Sequence, residues 1–234
     1  MGSKLKQSDF PVSFFVFKAF DWIKFLSIMN ILSFHKYFSF FKSRSELTQE
    51  EVKDPELCKR RGRAIEIYLL IWVIIEIICS IISCTLNFQV FLRTFITIII
   101  GLRIIEIIQV TVNATIFDAI NNRPDNIVAS KVRMVILSLI NFLELIICFG
   151  IFYALYFDLL SSQASISKID SFYFSTVTQL TIGYGDISPT SFLKFVASLQ
   201  GLLGLLFVVL ILARFITALP KIESLIDDQK EETN

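Results

Sequence analysis

The chain has one histidine, His35, and four cysteines in 234 residues. No Ser-His-Asp set, zinc-ligand spacing or phosphate-binding glycine loop occurs, so nothing supports an enzyme or a cofactor. His35 reads as a surface residue rather than a sensor or ligand. Cys58 lies in a basic segment and Cys79, Cys84 and Cys148 lie in apolar runs. Their spacing suits neither disulfides nor a metal, so they read as reduced thiols and small apolar fillers. Charge is almost balanced, 22 basic against 21 acidic residues, which gives no basis for nucleic-acid binding. No internal repeat is present. A cleavable leader is not expected, because the first apolar stretch contains Lys18, Asp21 and Lys24 and lacks a small-residue cleavage site. Lys6 also stands where a myristoylation pattern needs Ser or Thr.

What the chain has in abundance is apolar residues, 54% of the total, gathered in runs that match or exceed the about 20 residues that cross a bilayer. Four spans are expected, at about Ala64 to Phe88, Val90 to Phe117, Val132 to Phe157 and Phe192 to Ala218. Lys59-Arg60-Arg61-Gly62-Arg63 precedes the first span, Arg123, Lys131 and Arg133 lie between the second and third, and Arg214 and Lys221 end the fourth. The positive-inside rule then puts both termini in the cytoplasm and the Asp158 to Asp170 loop outside, in a multi-pass protein of the plasma membrane. Residues 10–41 are rich in Phe, with a polar stripe of Lys18, Asp21, Lys24, Ser27 and Asn30. An interfacial amphipathic helix fits this pattern, with a fifth span as the alternative. Ser43 to Glu56 reads as a linker, and Asn121 to Asn126 as a turn leading into a short amphipathic connector that ends at Arg133. The organisation is an N-terminal region 1–63, two peripheral helices with a connector 64–131, a module 132–218 and a tail 219–234. Asn113-Ala114-Thr115 has the form of a sequon, but it falls at a cytoplasmic end and is expected to be unmodified.

Between the third and fourth spans lies Thr181-Ile182-Gly183-Tyr184-Gly185-Asp186. Glycine adopts positive φ at little steric cost, so Gly183 and Gly185 can alternate in handedness with Ile182 and Tyr184 and turn successive carbonyls toward one line. The Thr181 hydroxyl would add a ligand at the inner end, while Ile182 and Tyr184 point outward as wedges. Such oxygens can replace the hydration shell of a cation. The hexapeptide resembles the selectivity filter of potassium channels, T-V/I-G-Y-G-D, at every position. Asp170 to Leu180 resembles the pore helix of that family, Asp186 to Pro189 its outer mouth and Phe192 to Ala218 its inner helix. The resemblance implies an all-α integral membrane fold. It has four transmembrane helices per subunit, a re-entrant pore helix and filter loop between the third and fourth, and a homotetrameric pore. K+ would be carried by the Thr181, Ile182, Gly183 and Tyr184 carbonyls and the Thr181 hydroxyl, with Gly185, Asp186, Tyr173 and Val177 as filter support. No partner protein other than further copies is evident.

Ser167-Lys168-Ile169-Asp170 has capping-box form, so a short helix should start there, with its C-terminal dipole end toward the cation. The chain departs from some relatives behind the filter. Val177 stands where some bacterial channels have a buried glutamate, and Tyr173 where tryptophan is common, so that its hydroxyl becomes the candidate partner of Asp186. Leu180 replaces a second threonine. In the fourth span Gly201 and Gly204 read either as a hinge or as close-packing positions. Phe207, Ile211, Leu212 and Phe215 are candidates for an apolar constriction.

Glu76, Arg103 and Glu144 fall near the middle of three successive spans, and Glu106 lies one turn from Arg103. Intramembrane charges are expensive and usually paired, so these four are expected to meet. Their cluster either senses pH or voltage or joins the peripheral helices to the pore. Voltage-gated relatives carry arginine at every third residue, whereas only Arg93 and Arg103 occur here. One charge across 100 mV is worth only about 2.3 kcal/mol, so little or no voltage dependence is expected. The sixteen residues after Ala218 are too few for a folded sensing domain. The reading is a potassium-selective channel that conducts passively. The alternatives are a weakly selective cation channel, one repeat of a transporter and a non-conducting regulatory subunit.

Overall fold

The computed structural model describes residues 55–85, 90–112, 115 and 131–219. The expected interfacial helix, the turn at Asn121 to Asn126 and the tail beyond Leu219 lie outside the described residues. Among the described residues, four helices are long and apolar enough to cross a membrane. The first, α1, spans Pro55–Thr85, and α2 spans Val90–Val112. Next come α3, Lys131–Leu155, the short helix α4, Asp170–Gln179, and α5, Leu193–Ala218.

Sequence reading put a linker as far as Glu56 and the first span after Arg63, but α1 begins at Pro55 and runs unbroken through the basic cluster. Proline suits a helix start, because its φ is preset and its missing N–H would have no partner there. Several hydroxyls of the long helices bond to a carbonyl one turn back, as an apolar environment favours. Ser80 donates to Glu76 O at 2.7 Å, Thr94 to Val90 O at 2.9 Å and Ser138 to Met134 O at 2.7 Å.

Helix α3 is the hub, packed against α1, α2, α4 and α5. Its Leu145, Ile151 and Tyr153 are fully buried together with Leu193 and Phe207 of α5. Gly150 of α3 lies against the Phe172 ring of α4, where a Cβ would collide with the ring. A second feature departs from the all-helical expectation. Leu160–Ser162 (β1) pairs antiparallel with Ile187–Pro189 (β2), in the register Leu160↔Pro189, Ser161↔Ser188 and Ser162↔Ile187. This ribbon ties the segment after α3 to the segment after the hexapeptide. Its residues gave no sequence signal, because three-residue strands carry almost no periodicity.

Gly204 is buried where α5 packs on α4, and an added Cβ would collide with the Gln179 backbone carbonyl oxygen, whereas nothing lies within 4 Å of a Cβ at Gly201. We therefore expect Gly204→Ala to lower stability by about 1–3 kcal/mol, the usual cost of overpacking, and Gly201→Ala to be near neutral. Thermal unfolding of the two variants in detergent checks this difference.

Candidate functional site

Helix α4 begins as its sequence suggested, but with a variant of the capping box. The Asp170 carboxylate accepts from the Ser167 backbone N–H at 2.6 Å and from the Ser167 hydroxyl at 3.0 Å. The helix ends at Gln179, and its last carbonyls hold the chain that follows. The Thr181 N–H donates to Thr178 O at 3.1 Å and the Ile182 N–H to Val177 O at 2.9 Å. Positive φ then recurs at alternate residues, 55° at Thr181, 63° at Gly183 and 76° at Gly185. Sequence reading assigned this handedness to the glycines alone. At Thr181 a β-branched residue adopts it, a conformation that costs of order 1–3 kcal/mol and concentrates at functional sites.

All six residues of the hexapeptide are exposed on the single chain, Ile182 at 48% and Tyr184 at 70%. Behind them Val177 is buried on α4. The Tyr173 hydroxyl donates to Asp186 Oδ2 at 2.8 Å, joining α4 to the far end of the hexapeptide. That bond to a carboxylate raises the Tyr173 pKa above its ordinary value.

The candidates on α5 separate into two groups. Phe215 is 52% exposed, Leu212 is also exposed and Ile211 is partly exposed. Phe207 is instead fully buried, its ring 6.4 Å from that of Phe142 on α3. As an apolar filler between α3 and α5 it cannot also line an aqueous path, so it leaves the set of constriction residues.

The four charged residues of the spans come together. Arg103 reaches Glu106 Oε2 at 3.0 Å, Glu144 Oε2 at 2.5 Å and Glu76 Oε1 at 3.8 Å, and each of the four is at most 2% exposed. Three residues that sequence reading did not place here complete the cluster. The Tyr68 hydroxyl donates to the Glu106 carboxylate at 2.7 Å and the Cys148 thiol to Glu76 Oε1 at 3.4 Å. The Trp72 ring centroid lies 5.0 Å from the guanidinium carbon, within cation–π range. Cys148 is thus more than an apolar filler. Cys79 and Cys84 are free thiols, as the spacing suggested.

Arg214, read as a basic residue at the end of the fourth span, has a packing role as well and is 7% exposed. It donates to Thr115 Oγ1 at 2.6 Å, Thr111 O at 3.0 Å and Met134 O at 3.3 Å, and also to the Ser138 hydroxyl. One guanidinium, with its fork of donors, joins the end of α5 to the end of α2 and the start of α3. A single arginine near the end of a span cannot be told from a topological signal by sequence alone.

Residues 141–221, about a third of the chain, match the sequence model of a family described as "Ion channel". No curated protein and no solved structure matched the chain. The match takes in most of α3, all of α4, the hexapeptide and α5, the elements that surround the alternating backbone. Residues 141–221 are therefore similar to an ion-channel family.

Proposed function

We propose that the chain is one subunit of a homotetrameric, potassium-selective channel that conducts K+ passively down its gradient, with no cofactor and no enzymatic activity. The observation that carries this reading is the alternation of positive φ at Thr181, Gly183 and Gly185 with the intervening Ile182 and Tyr184. That alternation lets successive carbonyls face one line, and oxygens so arranged can substitute for the water around a cation. One chain supplies only one wall, and its hexapeptide is left exposed. Four copies around an axis close the cage. The free apolar face of α5, with Leu202, Leu205, Val209 and Leu212 all more than half exposed, suits neighbouring copies and the inner part of the path.

In this assembly α4 is the re-entrant pore helix, and its C-terminal dipole end favours a cation. The basic clusters support a plasma-membrane protein with both termini in the cytoplasm. Arg103 is held by carboxylates of α1, α2 and α3, an arrangement that favours a structural tie over a voltage sensor and supports weak voltage dependence.

Purified protein in liposomes tests the reading. Potassium flux with a reversal potential close to that of K+ in mixed potassium and sodium is expected. Equal permeation of both ions would favour a weakly selective channel, and silence a regulatory subunit. A finer prediction concerns the outer mouth. Tyr173→Phe removes the bond to Asp186 while keeping the ring, so it should leave assembly intact and shorten openings in single-channel recordings.

A further inference from the structure

Behind the filter, three polar side chains from three different helices form a single hydrogen-bonded chain. The Tyr153 hydroxyl of α3 donates to Gln200 Oε1 of α5 at 2.8 Å. The Gln200 amide then donates to Ser175 O at 3.0 Å and to Ser175 Oγ at 2.9 Å on α4. The Ser175 hydroxyl in turn donates back to α3, at Ile146 O, 2.7 Å away. All three residues have no exposed surface. Each end of the Gln200 amide has a partner of the correct sense, which fixes its orientation, and burial makes any unpaired member costly.

One turn further along both helices, Gly204 of α5 meets the Gln179 carbonyl of α4. The two helices therefore run parallel through two contacts in the same register, 200 with 175 and 204 with 179. Between these contacts lie Val177 and Thr178, whose carbonyls hold the Ile182 and Thr181 N–H groups. The backbone that begins the filter is thus hung from the stretch of α4 that α5 clamps at both ends.

We propose that Tyr153, Ser175 and Gln200 are positioning residues for ion selectivity: their hydrogen-bonded chain sets the position of the pore helix, and through it the spacing of the filter carbonyls. None of them touches the ion. The proposal rests on the potassium-selective reading above. Loss of the chain lets the pore helix shift against α5, and a loosened cage accepts the smaller cation more readily. Tyr153→Phe removes one oxygen and retains the aromatic contact with Phe174, 4.9 Å between centroids. Ser175→Ala also removes one oxygen, and Gln200→Met keeps side-chain length without donor or acceptor.

The test is the reversal potential of reconstituted wild type and the three variants in mixed potassium and sodium. This readout does not depend on how many channels assemble, so a merely structural role would lower current without moving it. The expected result is a rise of about tenfold in relative sodium permeability for Gln200→Met, the effect of about one net hydrogen bond, and a smaller rise for the other two. Variants that conduct with the wild-type reversal potential overturn the proposal, as does loss of assembly in all three. If only Gln200→Met fails to assemble, Tyr153→Phe and Ser175→Ala decide. A wild type without potassium selectivity removes the channel reading and the proposal together. A selective wild type with unshifted variants removes the proposal alone.

Discussion

Gly183→Ala is expected to abolish potassium flux while leaving the protein assembled. Gly183 has φ of +63°, and nothing lies within 4 Å of a Cβ built on it, so the penalty within the chain is conformational rather than a clash. A non-glycine residue in the left-handed region costs about 1–2 kcal/mol, and a symmetric tetramer carries the change four times, about 4–8 kcal/mol around one ring of oxygens. The least costly response is for the peptide to rotate out of the left-handed region, which turns a carbonyl away from the ion. Thr181, at φ of 55°, tolerates the same region because α4 holds its N–H through Thr178 O. Gly183 lies beyond the last bond from that helix, which is to Ile182. Flux into liposomes and size measurement in detergent separate lost conduction from lost assembly. Undiminished flux through a well-assembled Gly183→Ala protein would rule out the hexapeptide as the path.

The second large effect is on stability. Arg103→Leu should cost about 3–5 kcal/mol per subunit, because it removes the guanidinium that pairs with the buried Glu144 and Glu106 carboxylates. Glu76, whose closest approach to the guanidinium is 3.8 Å, loses its positive neighbour as well. Glu144→Gln should be milder, since it retains an acceptor for Arg103 and removes one negative charge from a cluster with an excess of them. Unfolding of the two variants in detergent measures the difference. If Arg103→Leu unfolds like the wild type, the cluster does not tie the peripheral helices to α3. The Arg103 guanidinium contacts carboxylates on α1, on α2 itself and on α3, so removing it loosens three helices at one depth.

Much of the architecture was legible before any coordinates. The four apolar runs could be counted, since crossing a bilayer sets a minimum length on consecutive apolar residues. The meeting of Glu76, Arg103, Glu106 and Glu144 could be inferred from depth alone, because isolated charges in an apolar medium have few alternatives. The start of α4 at Asp170 followed from Ser167 and Asp170, three residues apart. Helix boundaries were less accurate. The linker reading extended to Glu56, whereas α1 starts at Pro55, because proline is compatible with a first turn and not with an interior.

Roles that depend on distant partners were not legible. Phe207 looked like a constriction residue until Phe142 was found against it, and Arg214 like a boundary charge until Thr111, Met134 and Ser138 surrounded it. Gln200, Tyr153 and Ser175 drew no attention in the sequence, since a glutamine, a tyrosine and a serine 22 and 25 residues apart have no pattern to read. Local backbone chemistry, glycines at alternate positions in a filter-like hexapeptide, and the apolar lengths that make spans were readable from the residues alone. Those properties are covalent and travel with a few consecutive residues. Tertiary structure alone decided which buried polar groups satisfy one another and which face of α5 is free. Hydrogen-bond partners such as Arg214 and Thr111, 103 residues apart, meet only when three helices pack.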